Sequence, residues 1–212
     1  MTTNITYNHP VTQRGEARAR MLTSAIQLFR ERGVAGTALS DVIAHSHAPR
    51  GSLYHYFPGG KAQLAAEATA HAGRLLDALI VTWMSRHGPA ETITRIIEMF
   101  RTQLRDTDFA SGCPVAAGAL EGGEAPAASE VAGTAFATWE ATLAAALTTH
   151  GTPPTRAETL ASLVVCAIEG AIIVAKAQRS TRPLDRVATE LRALIQFGSR
   201  VPPDTEPAAE DG

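Results

Sequence analysis

Apolar residues recur three and four positions apart along most of the chain, with polar residues between them. This spacing is typical of amphipathic α-helices. Runs of β-branched residues are short, and most prolines stand between apolar segments rather than inside them. The sequence therefore predicts an all-α protein. Its predicted helices span about 13–32, 39–46, 49–57, 61–86, 90–107, 130–149, 155–179 and 184–199, with a short segment near 112–120.

Charge divides the chain into unequal parts. Residues 1–61 carry seven lysines and arginines against three acidic residues, whereas the remainder carries 12 basic and 18 acidic residues. A basic head on an acidic body indicates a polyanion-binding end. We predict a head over 1–61, ordered from about residue 13, a larger helical body over 62–200, and a disordered acidic tail over 201–212.

Other classes of protein fit the sequence poorly. The longest apolar run, at 163–175, has 13 residues and contains Glu169, so it is too short and too polar to cross a bilayer. The N-terminus has no apolar segment like that of a signal peptide. Cys113 and Cys166 lie far apart and form no metal or redox spacing. We expect a cytoplasmic protein without membrane contact and with reduced thiols; a disulfide between the two cysteines is the alternative.

The densest cluster of chemically active side chains is HAPRGSLYHYFPGGK, at 47–61. Two short helices joined by a three-residue turn form a helix-turn-helix, whose second helix can enter the major groove of DNA. Leu53 and Phe57, four residues apart, would anchor that helix to the core and turn its other side chains outward. The predicted DNA contacts are Thr37, Ser40, Pro49, Arg50, Gly51, Ser52, Tyr54, His55, Tyr56 and Lys61.

These residue types can contact the bases and phosphates of a DNA duplex. Arg50 can grip a guanine edge in a bidentate way, and Ser52 can bond either kind of base. Tyr54 and its neighbours can bond phosphates, while Gly51 removes a side chain where backbone approaches DNA. Lys61 starts the next helix, where its ammonium adds to an anion site.

Alternative interpretations of this region remain. The aromatic run is also compatible with an ordinary helix surface, and Arg14, Arg18 and Arg20 with surface charges as much as phosphate contacts. Zinc binding would have to use the nearby histidines 45, 47 and 55, which lack fitting partners. A phosphate loop is excluded, because it would need glycine at His55 and serine or threonine at Ala62.

The run GTALSDVIAHSHAPRGSLYHYFPGGKAQL, at 36–64, resembles the DNA-binding domain of the TetR/AcrR family of bacterial transcriptional regulators. APRGSLYHYFPGGK, with GCPVAAGALE at 112–121, resembles the LmrA/YxaF-type branch. The resemblance implies an all-α homodimer, a palindromic operator and a small-molecule effector that releases DNA. Many members have serine where this chain has Pro49, which removes a hydroxyl and an N–H from a phosphate contact.

The two C-terminal helices carry broad apolar bands. A monomer can bury one such stripe per helix, but two wide bands favour a self-complementary four-helix interface. The predicted dimerisation residues are Leu160, Leu163, Val164, Ala167, Ile168, Ala171, Leu184, Val187, Leu191 and Leu194.

An effector pocket in a helical domain should be mostly apolar with a few polar groups. Plain core packing is the alternative role for every candidate. The candidate lining residues are Trp83, Met99, Phe100, Gln103, Cys113, Phe136, Trp139 and Ile172.

We predict no cofactor and no catalytic residue. Cys113 would need a base, and no spacing places His87 or His150 beside it. Two rival hypotheses remain: a helical enzyme or small-molecule carrier with a vestigial DNA-binding unit, and a ligand-independent activator or architectural protein.

Overall fold

The computed structural model describes residues 13–49, 51–121, 123 and 125–198. All regular structure in these ranges is helical, as predicted. The helices are α1 (Gln13–Arg32), α2 (Leu39–Ser46), α3 (Ser52–Tyr56), α4 (Gly60–Asp106), α5 (Pro114–Ala119), α6 (Pro126–Thr149), α7 (Pro154–Gln178) and α8 (Arg182–Gly198).

Helix α4 is interrupted where the sequence predicts a break between two helices. Gly88 has φ 72° and ψ 177°, a left-handed conformation that glycine adopts at little cost. The buried Pro89 follows it and restarts the helix. The predicted break near residue 88 is confirmed.

Two other boundaries differ from the prediction. Helix α3 begins at Ser52 rather than about residue 49, because the chain first turns at Pro49, whose carbonyl accepts the Ser52 backbone N–H at 2.9 Å. Helix α6 begins at Pro126 rather than about residue 130, since proline suits the first helical turn. The loop expected over 121–129 is correspondingly shorter. The expected disorder of 201–212 falls outside the described residues.

The head has its own apolar core. Met21 and Phe29 of α1 pack with Val42 of α2 and with Leu53 and Phe57 around α3. The same cluster takes in the start of α4 and the start of α6, through Leu64, Ala65, Ala68, Ala125 and Ala128. The apolar core of the head therefore includes residues after 61, and the domain boundary at residue 61 stays a prediction.

The body is a bundle of the remaining helices around a second core. Trp139 of α6 is buried there and its indole N–H donates to the Gly73 carbonyl of α4 at 3.0 Å. By length and composition alone, α7 is apolar enough to cross a membrane. However, Leu160, Val164 and Ile168 of α7 are buried in the bundle, as expected for the core helix of a globular protein.

A candidate nucleic-acid interface and a candidate ligand cleft

Helix α3 is fixed on one side and open on the other. Leu53 and Phe57 are fully buried, whereas Tyr54 is 65% exposed and His55 is also exposed. The Arg18 guanidinium lies over the Phe57 ring, 5.1 Å from its centroid, and pairs with Glu67 of α4. The anchoring role expected for Leu53 and Phe57 is confirmed. Packing of its inner side therefore holds α3 in place and leaves its outer face exposed.

The polar groups around α3 differ in exposure. Ser40 at the start of α2 and Pro49 are exposed, while Ser52 and Tyr56 are half-buried. The Ser52 hydroxyl donates to the Pro49 carbonyl at 2.6 Å, which leaves its oxygen able to accept. Arg50, to which we assigned guanine recognition, falls outside the described residues.

Gly51 has no role inside the protein that requires a glycine. It is exposed, its φ is −82°, and a Cβ added there would meet nothing within 4 Å. Any L-residue can adopt this conformation. The space over Gly51 is therefore free for an external partner.

The structure corrects the assignment of Thr37. Its side chain is 1% exposed, and its hydroxyl donates to the Gly33 carbonyl at 2.8 Å. A buried hydroxyl bonded within the protein cannot contact a phosphate, so Thr37 stabilises the loop before α2 instead.

Several basic residues of the head are bonded to other groups of the protein. The Lys61 ammonium donates to the Ala35 carbonyl at 3.2 Å and ties the start of α4 to the loop before α2. Arg18 pairs with Glu67 as described, and the Arg20 guanidinium lies 3.4 Å from the Ser46 carbonyl oxygen. The side chain of Arg14 falls outside the described residues. The alternative of ordinary structural roles thus applies to Arg18.

Five of the eight predicted effector residues border one cavity. This α4–α5 cavity has a volume of about 200 Å³ and lies between α1, α4, α5 and α6. Trp83 and Phe136 do not border it; both pack partly buried against the core, and Phe136 meets Trp139 edge to face at 5.2 Å. The predicted residues in its wall are Met99, Phe100, Gln103, Cys113 and Trp139.

A second space lies beside it, between α1, α5 and α7. This α1–α7 cleft has a volume of about 430 Å³ and shares Arg30 and Cys113 with the α4–α5 cavity. Its wall includes Ile172, the eighth predicted residue, together with Glu169 and Lys176 of α7. Most of its remaining wall is apolar, as expected for a small-molecule site.

The C-terminal end of α1 is bonded to the body at this cleft. The Arg30 guanidinium donates to the Gln103 side-chain oxygen at 2.9 Å, and the Gly112 N–H donates to the Arg30 carbonyl at 2.8 Å. The Gln103 amide donates in turn to the Gly112 carbonyl at 2.9 Å. The Lys176 ammonium donates to the Glu31 carbonyl at 3.1 Å, a favourable position for a cation at a helix C-terminus. We call these contacts the head–body junction.

Glu169 and Cys113 form the most perturbed titratable pair of the described residues. Burial raises the pKa of the Glu169 carboxyl to about 7, opposed by a hydrogen bond from the Cys113 thiol. Burial, and then the charge of Glu169, hold the pKa of that thiol well above its usual value. Cys113 is therefore a neutral thiol at neutral pH and a poor nucleophile.

Sequence reasoning did not assign Arg30, Glu169 or Lys176 to a site. Glu169 carried a usable signal, because it is the only charged residue in the apolar run 163–175. Arg30 and Lys176 carried none, since their contacts join residues far apart in the chain.

The structure also corrects six of the ten predicted dimerisation residues. These six are at most 5% exposed in the protomer's own core, so they cannot contact a second copy directly. Leu163 is 43% exposed, and Ala167, Val187 and Leu194 are half-buried. Ile173 and Val174 of α7 are exposed as well. The six core residues are Leu160, Val164, Ile168, Ala171, Leu184 and Leu191.

Two family descriptions match the chain. Residues 21–68 match bacterial regulatory proteins of the tetR family. Residues 89–190 match the C-terminal domain of LmrA/YxaF-like transcriptional regulators. The first region contains the helix-turn-helix, and the second contains most of the body.

Individual proteins agree with these matches. The chain is 43% identical over 185 residues to an HTH-type transcriptional regulator of Mycobacterium tuberculosis, covering 84% of this chain and 93% of that protein. It is 33% identical to the HTH-type transcriptional regulator YxaF of Bacillus subtilis, covering 88% and 98%. A crystal structure of a TetR transcriptional regulator from Chloroflexus aurantiacus superposes with a TM-score of 0.72 at 28% identity, covering 87% and 96%.

The fold and the exposed helix-turn-helix define a DNA-binding transcriptional regulator. The chain belongs to the TetR family, in its LmrA/YxaF-like branch.

Proposed function

We propose that the protein is a homodimeric, cytoplasmic repressor that binds a palindromic operator and releases it when a small lipophilic effector binds. The observation that carries the DNA-binding part is the arrangement of α3. Its apolar residues Leu53 and Phe57 are buried, while Gly51, Tyr54 and His55 form an exposed face. In this proposal Arg50 and Ser52 contact bases, and Ser40, Pro49, Tyr56 and Lys61 lie along the phosphates.

The substitution Gly51→Ala tests this face without disturbing the fold. Because Gly51 has negative φ and open space around its Cβ position, alanine should leave stability unchanged or raise it by about 0.4–1 kcal/mol. On DNA, the added methyl group would stand in the contact surface. We expect about ten- to a hundredfold weaker operator binding, the loss of one specific contact.

The measurement uses duplexes selected from random DNA, with affinities from fluorescence anisotropy and stability from thermal unfolding. Val81→Ala, at an exposed position on α4, is the matched control and should bind the operator like the wild type. If Gly51→Ala also bound like the wild type, α3 would not be the DNA-contacting helix.

The dimer is supported by the exposed apolar residues of α7. Leu163, Ile173 and Val174 are 42–54% exposed, and the spacing of Leu163 and Val174, about three helical turns, places these two on the same side of α7. Pairing of α7 and α8 with a second copy would cover them. It would also set the two α3 helices about one DNA turn apart, ~34–36 Å.

Leu163→Glu tests the interface. Light scattering coupled to size exclusion should give twice the 22.3 kDa mass of one chain for the wild type, and a shift towards the single-chain mass for the variant. The control Val81→Glu introduces the same charge at an exposed apolar position of α4. A wild type that stays at 22.3 kDa at micromolar concentration would refute the homodimer.

Effector release is supported by the position of the α1–α7 cleft. Arg30 belongs to α1 of the head, yet it borders both the α1–α7 cleft and the α4–α5 cavity. A molecule in the cleft would touch the head–body junction directly. An effector that binds better when α1 has shifted would favour a spacing of the two heads that does not fit the operator.

Gln103→Leu tests this coupling, since it removes the bonds to both Arg30 and Gly112. Compounds found by thermal shift should weaken operator binding by the wild type. For the variant, we expect the same compound to weaken operator binding by a smaller factor. If the compound weakens operator binding by the same factor in the variant and in the wild type, Gln103 does not carry the coupling.

A further inference from the structure

We propose that the α1–α7 cleft selects small apolar molecules that carry a hydrogen-bond donor, and that Glu169 accepts that donor. This inference rests on the proposed effector site and specifies the chemistry that it recognises. Two buried polar atoms support it, Oε2 of Glu169 and Nε of Arg30.

Oε2 of Glu169 is shielded from solvent and has no hydrogen-bond partner among the described residues. A buried carboxylate oxygen without a partner is costly, because the group has lost its hydration and gained nothing in return. Glu169 borders the cleft, so a shift of its side chain would bring this oxygen to a molecule bound there, which can supply the missing donor.

The described groups facing Glu169 leave this donor position open. Towards α4 and α6, Glu169 lines a small space together with apolar side chains, including Phe100, Trp139 and Leu143. From α5 it meets the Cys113 thiol, which already donates to it.

The basic groups of the cleft are directed elsewhere. The Lys176 ammonium donates to the carbonyls of Arg30 and Glu31, and Arg30 donates to Gln103. Each cation has its own bonds to the head–body junction, so neither replaces an incoming donor at Glu169.

A second buried polar group without a partner belongs to a residue that lines the same cleft. Nε of Arg30 is buried without a hydrogen-bond partner among the described residues, and its N–H can only donate. A molecule that gives a donor to Glu169 and an acceptor to Arg30 satisfies both groups. The two contacts would reach α7 and α1 at once, which places the recognition chemistry at the head–body junction.

Either a protonated amine or a neutral hydroxyl supplies the donor. The positive charges of Arg30 and Lys176 in the cleft wall oppose an amine, whereas the charge of Glu169 favours it. Four naphthalenes of similar shape separate these cases: 2-naphthylmethylamine, 2-naphthalenemethanol, 2-ethylnaphthalene, which has no donor, and 2-naphthoate, which carries an acceptor and a negative charge.

Binding is measured by isothermal titration calorimetry on the full chain without DNA at pH 8, where the Glu169 carboxyl, with a pKa of about 7, is mostly ionised. We expect the amine or the alcohol to bind about tenfold or more tightly than 2-ethylnaphthalene and 2-naphthoate, the gain from a hydrogen bond to a charged group. Glu169→Leu should abolish this preference. Glu169→Gln should abolish it for the amine and keep it for the alcohol, because an amide oxygen still accepts a hydrogen bond but carries no charge.

Glu158→Gln, at an exposed position of the same helix, is the matched control and should keep the wild-type preference. If the Leu variant fails to fold, the Gln variant and the four probes still decide the question. Three results would overturn the inference. 2-Ethylnaphthalene could bind as tightly as the amine and the alcohol, or 2-naphthoate could bind most tightly. The third result is no saturable binding of the amine or the alcohol at millimolar concentration. Operator binding, measured separately, tests the proposed function whichever way this result falls.

Discussion

Replacing Glu169 by glutamine should change how the stability of the protein depends on pH. In the folded protein, burial raises the pKa of this carboxyl from 4.5 to about 7. The folded state therefore holds the proton more tightly than the unfolded chain. Stability is highest below the unfolded pKa and falls as pH rises through the folded pKa.

The magnitude follows from the size of this shift. One pKa unit corresponds to about 1.36 kcal/mol, so the whole shift is worth about 3 kcal/mol, of which about 2.5 kcal/mol falls between pH 5 and pH 8. Glutamine does not titrate. We expect the free energy of unfolding of Glu169→Gln, taken relative to that of the wild type, to be about 2–3 kcal/mol higher at pH 8 than at pH 5.

The assay is urea unfolding at one fixed protein concentration, followed by circular dichroism, at pH 5 and at pH 8. Glu158→Gln is the control, because an exposed glutamate on α7 loses little hydration on folding. A difference between wild type and Glu169→Gln that does not change between the two pH values would contradict the burial of the Glu169 carboxyl.

Three further substitutions test the head. Arg50→Ala should cost roughly 1–3 kcal/mol of operator binding and relax specificity at one base position, measured with a panel of single-base operator variants. Lys61→Ala should weaken binding to all duplexes alike and flatten the salt dependence by about one, as seen in a salt titration. Thr37→Val should lower the free energy of unfolding by about 1 kcal/mol, since it loses its bond to Gly33, and should leave that salt slope unchanged.

The helices of this fold follow from local signals in the sequence. Apolar spacing located all of the main helices, and the glycine–proline pair at Gly88 marked the break in α4. The errors lie at helix ends: α3 begins after Pro49 rather than at it, and α6 begins at Pro126, earlier than predicted. Both prolines were visible in the sequence, but whether a proline precedes a helix or opens it depends on the backbone turn around it.

Which side of a helix faces the core was harder to predict. In α7, both the buried Val164 and the exposed Leu163 are apolar, so composition alone could not say which of them is available to a second copy. The α3 face was predictable, because Leu53 and Phe57 are flanked by polar and aromatic residues. A helix that is apolar on most sides gives no such contrast.

The junction and the cleft depend on tertiary contacts. Arg30 meets Gln103 across 73 residues, and Lys176 meets Glu31 across 145. Neither pairing follows from local spacing. For Glu169, the sequence showed a charge in an apolar run, and only the packing of α5 and α7 places it in a cleft beside Cys113.

The central claim is that α3 contacts a DNA duplex through its exposed face. The most direct measurement compares the wild type with Gly51→Ala on one selected operator, by anisotropy over a range of salt concentrations. We expect tight wild-type binding that weakens steeply with added salt, and a variant of equal or higher thermal stability that binds at least about tenfold more weakly. Wild-type protein that retains no duplex at low salt, or a variant that binds as tightly as the wild type, would contradict the claim.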